Sequence, residues 1–86
     1  MMPLTMVKPG EKVILVDVRG GSGLKHRLTT MGLSIGSKME VIAYNHKGPV
    51  IVAVDETNTR LALGRGMAHK IIVEPLLLHG KDVIDM

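Results

Sequence analysis

The sequence contains no cysteine, phenylalanine or tryptophan, and Tyr44 is its only aromatic residue. The absence of cysteine excludes disulfides, thiolate zinc sites and iron–sulfur ligation, and it is typical of proteins in a reducing compartment. The shortage of aromatic residues removes the stacking platforms of single-strand nucleic-acid binders and the aromatic walls that bind proline-rich peptides. The core must therefore be built from Val, Ile, Leu and the seven Met residues.

Long apolar runs are also missing. The segment Met1–Gly10 lacks the continuous apolar stretch of a secretion signal, and the run Val50–Val54 is far too short to span a bilayer. We therefore expect a cytoplasmic protein with no direct membrane insertion. A length of 86 residues leaves room for one compact domain and a short tail.

Acidic residues are absent between Asp17 and Glu40, although the net charge of the chain is only +3. The same window contains four cationic residues, at Arg19, Lys25, Arg27 and Lys38. A local asymmetry of this kind favours contact with an acidic partner, for which charges at the rim of an interface mainly set the association rate. A net charge this small, with no aromatic platform, argues against nucleic acid as that partner.

Hydrophobic alternation predicts a mainly β fold, a small five-stranded barrel with one short α-helix after the first strand. The predicted strands are Lys12–Val18, Met39–Tyr44, Val50–Val54, Thr59–Leu63 and Ile71–Glu74. In the second of these strands, Met39, Val41 and Ala43 are expected to share one face. The exposed edges of such a sheet allow weak pairing between copies of the chain.

The connections between the strands are predicted from their turn residues. Asn45–Pro49 is expected to form a hairpin loop, and Gly64–His69 a tight turn, because this segment is too short and glycine-rich for a stable helix. The domain is assigned to residues 1–75. For the tail, residues 76–86, an additional strand and a disordered segment remain alternatives.

The predicted helix has both a start and a stop signal. Ser22 stands at the expected N-cap position. Gly32 stands where a left-handed residue ends a helix, and Leu33 follows where a Schellman motif places an apolar contact. The spacing of Leu24, Leu28 and Met31 predicts one apolar stripe that packs inward, with an edge available to a partner.

Candidate chemical sites are weak. The four histidines, His26, His46, His69 and His79, fall in separate elements without a metal-ligand spacing, so we predict no intrinsic metal site and only adventitious or regulatory transition-metal binding. The stretch Gly20-Gly21-Ser22-Gly23, which opens the helix, is similar to a phosphate cradle, but the Lys-Ser/Thr ending of a P-loop is missing. No catalytic or cofactor-binding residues are predicted, and the chain is not expected to be an enzyme.

Several short motifs together resemble the FeoA family, the small component of bacterial ferrous iron uptake. The motifs are Lys8-Pro9-Gly10-Glu11, Arg19-Gly20-Gly21, Arg27-Leu28, Met31-Gly32-Leu33 and Arg60-Leu61-Ala62-Leu63. The resemblance covers Leu4 to about Pro75. Ile35 departs from it, because the family commonly has a proline after the Met-Gly-Leu equivalent.

The resemblance implies an SH3-like barrel, a cytoplasmic location and docking on the GTP-binding domain of the membrane transporter FeoB. The predicted partner-binding residues are Arg19, Leu24, Lys25, Arg27, Leu28 and Met31, of which the cations would steer and contact an acidic partner. The same domain is similar to the C-terminal module of iron-dependent repressors. A stand-alone metal-responsive regulator is therefore the alternative function.

Overall fold

The computed structural model describes residues 1–44 and 47–76. These residues form one antiparallel sheet with three short helices between its strands. Its six strands are β1 (Met2–Pro3), β2 (Lys12–Val18), β3 (Lys38–Tyr44), β4 (Val50–Val54), β5 (Thr59–Leu63) and β6 (Ile71–Pro75). Across the sheet the order of these strands is β1-β6-β2-β3-β4-β5. A 3₁₀ helix at Leu4–Met6 and two α-helices, α1 (Ser22–Thr30) and α2 (Arg65–His69), lie between the strands.

The prediction of a closed five-stranded barrel is corrected by the strand pairing. A sixth strand, β1, pairs with β6 through Met2 opposite Val73 and Pro3 opposite Ile72. Within the described residues no ladder joins the edge strands β1 and β5, so the sheet is open. The sequence pattern did not indicate β1, because a strand of two residues shows no alternation. The mainly β class and the bounds of β2, β4 and β5 are confirmed.

The face prediction for β3 is corrected at Ala43. The pairing with β4 shifts register between Val41 and Ala43, and this irregularity turns Ala43 outward while Met39 and Val41 stay in the core. β2 has a shift of the same kind between Leu15 and Asp17, and as a result Leu15 before it and Val18 after it are both buried although they are three residues apart. A single inserted residue cannot be detected from alternation alone.

The core is one cluster of aliphatic side chains to which the 3₁₀ helix, both α-helices and strands β2 to β6 contribute. Its buried members are Leu4, Val7, Val13, Leu15, Val18, Leu28, Leu33, Met39, Val41, Val50, Val52, Val54, Leu63, Ala68, Ile71 and Val73. All of these members lie before residue 74. Burial of this apolar surface is the main force that holds the helices against the sheet.

The predicted stop signal of α1 is confirmed in its hydrogen bonds. Gly32 has φ +93°. Its N–H donates to the carbonyl of Thr29 at 3.0 Å, and the N–H of Leu33 donates to the carbonyl of Leu28 at 2.8 Å. These are the two bonds of a Schellman motif, and Leu33 is fully buried beneath them.

The predicted start of α1 is wrong by one residue. Gly21, with φ +88°, is the N-cap, and Ser22 is already the first helical residue. No side chain caps the helix there, whereas the carbonyl of Gly21 accepts the first helical bond from the N–H of Lys25 at 3.3 Å. The chain can turn at this point because glycine adopts a positive φ at little cost.

The segment predicted as a tight turn is a short helix, α2. The N–H of Ala68 donates to the carbonyl of Gly64 at 2.8 Å, and Ala68 is fully buried in the core. Tertiary packing therefore outweighs the low helix propensity of Gly66, because most helical stability in proteins comes from such packing.

Two predictions concern residues outside the described ranges. They are the tail, of which only Leu76 is described, and part of the Asn45–Pro49 loop, namely Asn45 and His46. Across residues 1–44 and 47–76, no helix is long and apolar enough to cross a membrane.

Candidate partner-binding groove

An open groove of about 390 Å³ runs between α1 and α2. It is lined by Gly23, Leu24 and Arg27 of α1, by Gly66 and Met67 of α2, and by Lys70, the residue that follows α2. We call this set of residues the α1–α2 groove.

The floor of the groove is apolar and the rim is cationic. Leu24 and Met67 are half-buried and pack against the core, so each leaves part of an aliphatic side chain open to the groove. Arg27 and Lys70 are exposed beside them. Gly23 adds no side chain, and a Cβ atom placed there would meet nothing within 4 Å. The groove thus offers a small apolar surface beside two positive charges.

Lys70 is held at one end of the groove by backbone contacts with the β2–α1 connection. Its carbonyl accepts a hydrogen bond of 2.8 Å from the N–H of Arg19. Gly20, at φ +105°, lies so close that an added Cβ would be 3.0 Å from Cδ of Lys70 and 3.3 Å from Cδ2 of Leu24. A glycine at this position therefore lets the aliphatic stem of Lys70 approach Leu24.

The two ends of α2 are tied to other elements. At its first residue, Nη2 of Arg65 donates to the Tyr44 hydroxyl at 2.9 Å, and the guanidinium lies 5.0 Å from the centre of the Tyr44 ring. This is the geometry of a cation–π contact. At its last residue, Nδ1 of His69 lies 3.4 Å from the Thr5 hydroxyl in the 3₁₀ helix. These contacts fix α2 relative to the sheet and so define one wall of the groove.

The electrostatics of the groove follow from two stretches of sequence without acidic residues. Residues 18–39, which include α1, have none, and neither do residues 57–73, which include α2. The fold places these two stretches side by side. Among residues 1–44 and 47–76, no ion pair neutralises Arg27 or Lys70. Both cations are consequently available to an acidic group from outside the described chain.

Of the predicted partner-binding residues, some line the α1–α2 groove and others do not. Leu24 and Arg27 line the α1–α2 groove. Arg19 and Lys25 are exposed but do not line it. Their assignment to a partner stays a prediction.

The other two members of the apolar stripe face the core. Leu28 is 1% exposed, so it stabilises the fold and has no surface to offer a partner. Met31 is half-buried against the same cluster, outside the groove lining.

The α2 side of the groove, formed by Gly66, Met67 and Lys70, was not predicted from the sequence. The second acid-free stretch, residues 57–73, was the signal that could have indicated it.

No cluster of three or more His, Asp or Glu side chains suited to a metal ion is present in the part of the chain that the structure describes. His26 lies exposed on α1, and His69 contacts Thr5. His46 and His79 fall outside the described residues.

Comparison with known proteins gives one consistent family. The model of the FeoA domain matches residues 2–75. "Putative Fe(2+) transport protein A" of Methanocaldococcus jannaschii is 47% identical over 82 residues, which are 95% of this chain and 96% of that protein.

Solved structures of FeoA proteins agree with this match, and a second group of proteins shares the fold. The crystal structure of an iron uptake regulatory protein (FeoA) superposes with a TM-score of 0.78 at 34% identity, over 85% of this chain and 95% of that one. A manganese-dependent transcriptional repressor in complex with manganese superposes equally well, with a TM-score of 0.78, over 86% of this chain. That likeness, at 22% identity and over 36% of the repressor chain, is one of fold. The SH3-like FeoA fold is thereby confirmed, with an open sheet in place of the predicted closed barrel.

Proposed function

Because this chain belongs to the FeoA family, we propose that it is a non-enzymatic accessory module of ferrous iron transport that uses the α1–α2 groove to dock on the GTP-binding domain of a FeoB-type transporter. The family match supports the role in ferrous iron transport. The observation that supports the docking surface is the groove itself, whose apolar floor lies beside Arg27 and Lys70, two cations with no ion-pair partner among residues 1–44 and 47–76. A cytoplasmic location follows from a partner domain on that side of the membrane.

The chemistry of the groove indicates what kind of contact it makes. Its volume of about 390 Å³ accommodates one or two side chains rather than a folded domain. In protein interfaces, most of the binding energy comes from a few anchors that fill such grooves, while charges at the rim set the association rate. We infer that an apolar side chain of the transporter rests on Leu24 and Met67, with acidic groups beside it that pair with Arg27 and Lys70.

The docking proposal is tested by calorimetric titration of the GTP-binding domain of the cognate transporter into this protein. Arg27→Glu should weaken binding roughly tenfold, because the substitution places a repelling charge at the rim, and a tenfold change corresponds to about 1.4 kcal/mol. Arg60→Glu is the matched control, because Arg60 is also an exposed arginine but lies on β5, outside the groove lining. The control should bind as the unchanged protein does.

Two results would contradict the assignment of the groove. Equal weakening by both substitutions would mean that net charge alone governs binding. Unchanged binding by Arg27→Glu would place the docking surface elsewhere.

The alternative function is a stand-alone metal-responsive regulator, and the observation that favours it is the fold shared with the manganese-dependent repressor. Titrations with Fe²⁺, Mn²⁺ and duplex DNA, followed by NMR, distinguish the two functions. Saturable shifts around the histidines with metal, together with no response to the transporter domain, would favour the regulator.

A further inference from the structure

The last five residues of the sequence, Asp82–Met86, combine acidic and apolar side chains. Two carboxylates, at Asp82 and Asp85, flank the branched aliphatic pair Val83 and Ile84, and Met86 follows. The segment thus carries two negative charges and a block of apolar side chains within five residues.

The α1–α2 groove presents the complementary chemistry. Its rim carries two cations, Arg27 and Lys70, and its floor carries two aliphatic side chains, Leu24 and Met67. A carboxylate paired with each cation forms charge-assisted hydrogen bonds, and the aliphatic residues between them bury apolar surface on the floor.

No other acidic residue of the chain is placed to fill this role. The six acidic residues in the described ranges all lie outside the groove lining, at Glu11, Asp17, Glu40, Asp55, Glu56 and Glu74. Asp82 and Asp85 are the two that remain.

We propose that Asp82–Met86 binds the α1–α2 groove of its own chain and competes there with the acidic, apolar segment of the transporter. The contact between the segment and the groove stands independently of the transporter, whereas the competition rests on the function proposed above. A partner would then have to displace this segment from the groove before it could bind.

The chain is long enough for this contact. β6 leads from Lys70, at the groove, to Leu76, whose N–H donates to the carbonyl of Lys12 at 2.9 Å. Six residues of extended chain cover about 20 Å. This is therefore the approximate distance from Leu76 back to Lys70, which the tail must span. Asp82 lies six residues beyond Leu76, so its carboxylate can reach Lys70, and the following residues can continue along the groove.

Tethering makes even a weak contact effective. A segment joined by a short linker acts at an effective concentration on the order of 1 mM. If the free segment bound with a Kd of about 0.1 mM, the groove would be occupied about nine-tenths of the time, and the affinity for a competing partner would fall about tenfold.

The first test measures the contact in the full chain without a transporter. Because the sequence contains no cysteine, Gly80→Cys introduces a unique attachment point for a nitroxide label just before the segment. We expect the label to broaden the NMR signals of Leu24, Gly66 and Met67 more strongly than those of β4 and β5, and this selective broadening should disappear when Arg27 and Lys70 are both changed to Glu. Uniform or absent broadening at the groove, or broadening that survives the double charge reversal, would overturn the proposal.

The second test measures the competition. Asp82→Asn combined with Asp85→Asn should raise the affinity of the full chain for the transporter domain severalfold. The matched control, Asp55→Asn combined with Glu56→Gln, removes the same two charges from the β4–β5 turn and should leave the affinity unchanged. An equal gain in both variants, or no gain in the tail variant, would contradict competition. Selective broadening with no transporter binding in any variant would instead refute the docking function and leave the intramolecular contact intact.

Discussion

The end of α1 allows a stability prediction in which the same chemical change has opposite effects at two glycines. Gly32 has φ +93°, and a Cβ atom added there would meet nothing within 4 Å. An alanine at this position therefore experiences no collision, and its whole cost is that of a left-handed backbone, about 1–2 kcal/mol. For a domain of this size, each kcal/mol corresponds to about 4–8 °C, so Gly32→Ala should lower the Tm by about 4–16 °C.

The matched variant is Gly23→Ala. Gly23 lies within α1, has no positive φ, and also has open space around an added Cβ. Here alanine reduces the conformational freedom of the unfolded chain and should stabilise the protein by about 0.4–1 kcal/mol. A third variant, Gly32→Asn, should lose less stability than Gly32→Ala because asparagine tolerates the left-handed region.

Urea unfolding and thermal melting, both followed by circular dichroism, measure these differences. Two results would contradict this prediction: a Gly32→Ala variant as stable as the unchanged protein, or alanine variants at positions 23 and 32 that shift the Tm in the same direction. Either result would mean that the Schellman motif does not carry the strain assigned to it.

Three further substitutions test the packing of Leu33, the contact between Tyr44 and Arg65, and the role of Lys70. Leu33→Ala removes a fully buried side chain below the helix end and should cost about 2–5 kcal/mol in urea unfolding, whereas a loss below 1 kcal/mol would show that the site is not tightly packed. Tyr44→Phe removes the hydroxyl that accepts from Arg65 but keeps the ring, so we expect a loss of about 0.5–1.5 kcal/mol, and no loss would show that this bond does not hold α2. Lys70→Glu should weaken binding to the transporter domain as much as Arg27→Glu does and reduce its salt dependence, and binding that keeps its full salt dependence would remove Lys70 from the interface.

Much of the fold was predictable because its signals are local. Alternation located β2, β4 and β5, and the glycine that follows Met31 located the end of α1. The errors occurred where the determining contact is distant in sequence. β1 exists because two residues pair with β6, about 70 residues further on, and α2 is a helix because Ala68 is buried under it. Register shifts in β2 and β3 leave no trace in composition either.

Only the α1 side of the candidate site was predictable from the sequence, because only that side has local signals. The acid-free stretch around α1 indicated Arg27, and the apolar stripe of the helix indicated Leu24; both residues line the groove. The stretch around α2 has the same absence of acidic residues, but its relation to α1 arises only from the tertiary fold, so Met67 and Lys70 were not predicted. Periodicity predicts which side of a helix faces the core, but it does not give the exposed fraction of each side chain. Only the structure shows that Leu28 is buried and therefore cannot contact a partner.

The claim that the α1–α2 groove is the docking surface is tested most directly by an NMR titration of the full chain with the GTP-binding domain of the transporter. We expect the largest shifts at the methyl groups of Leu24 and Met67 and at the amides of Arg27 and Lys70, and we expect these shifts to saturate together. Shifts concentrated on the exposed surface of β4 and β5, with these four residues unchanged, would contradict this prediction.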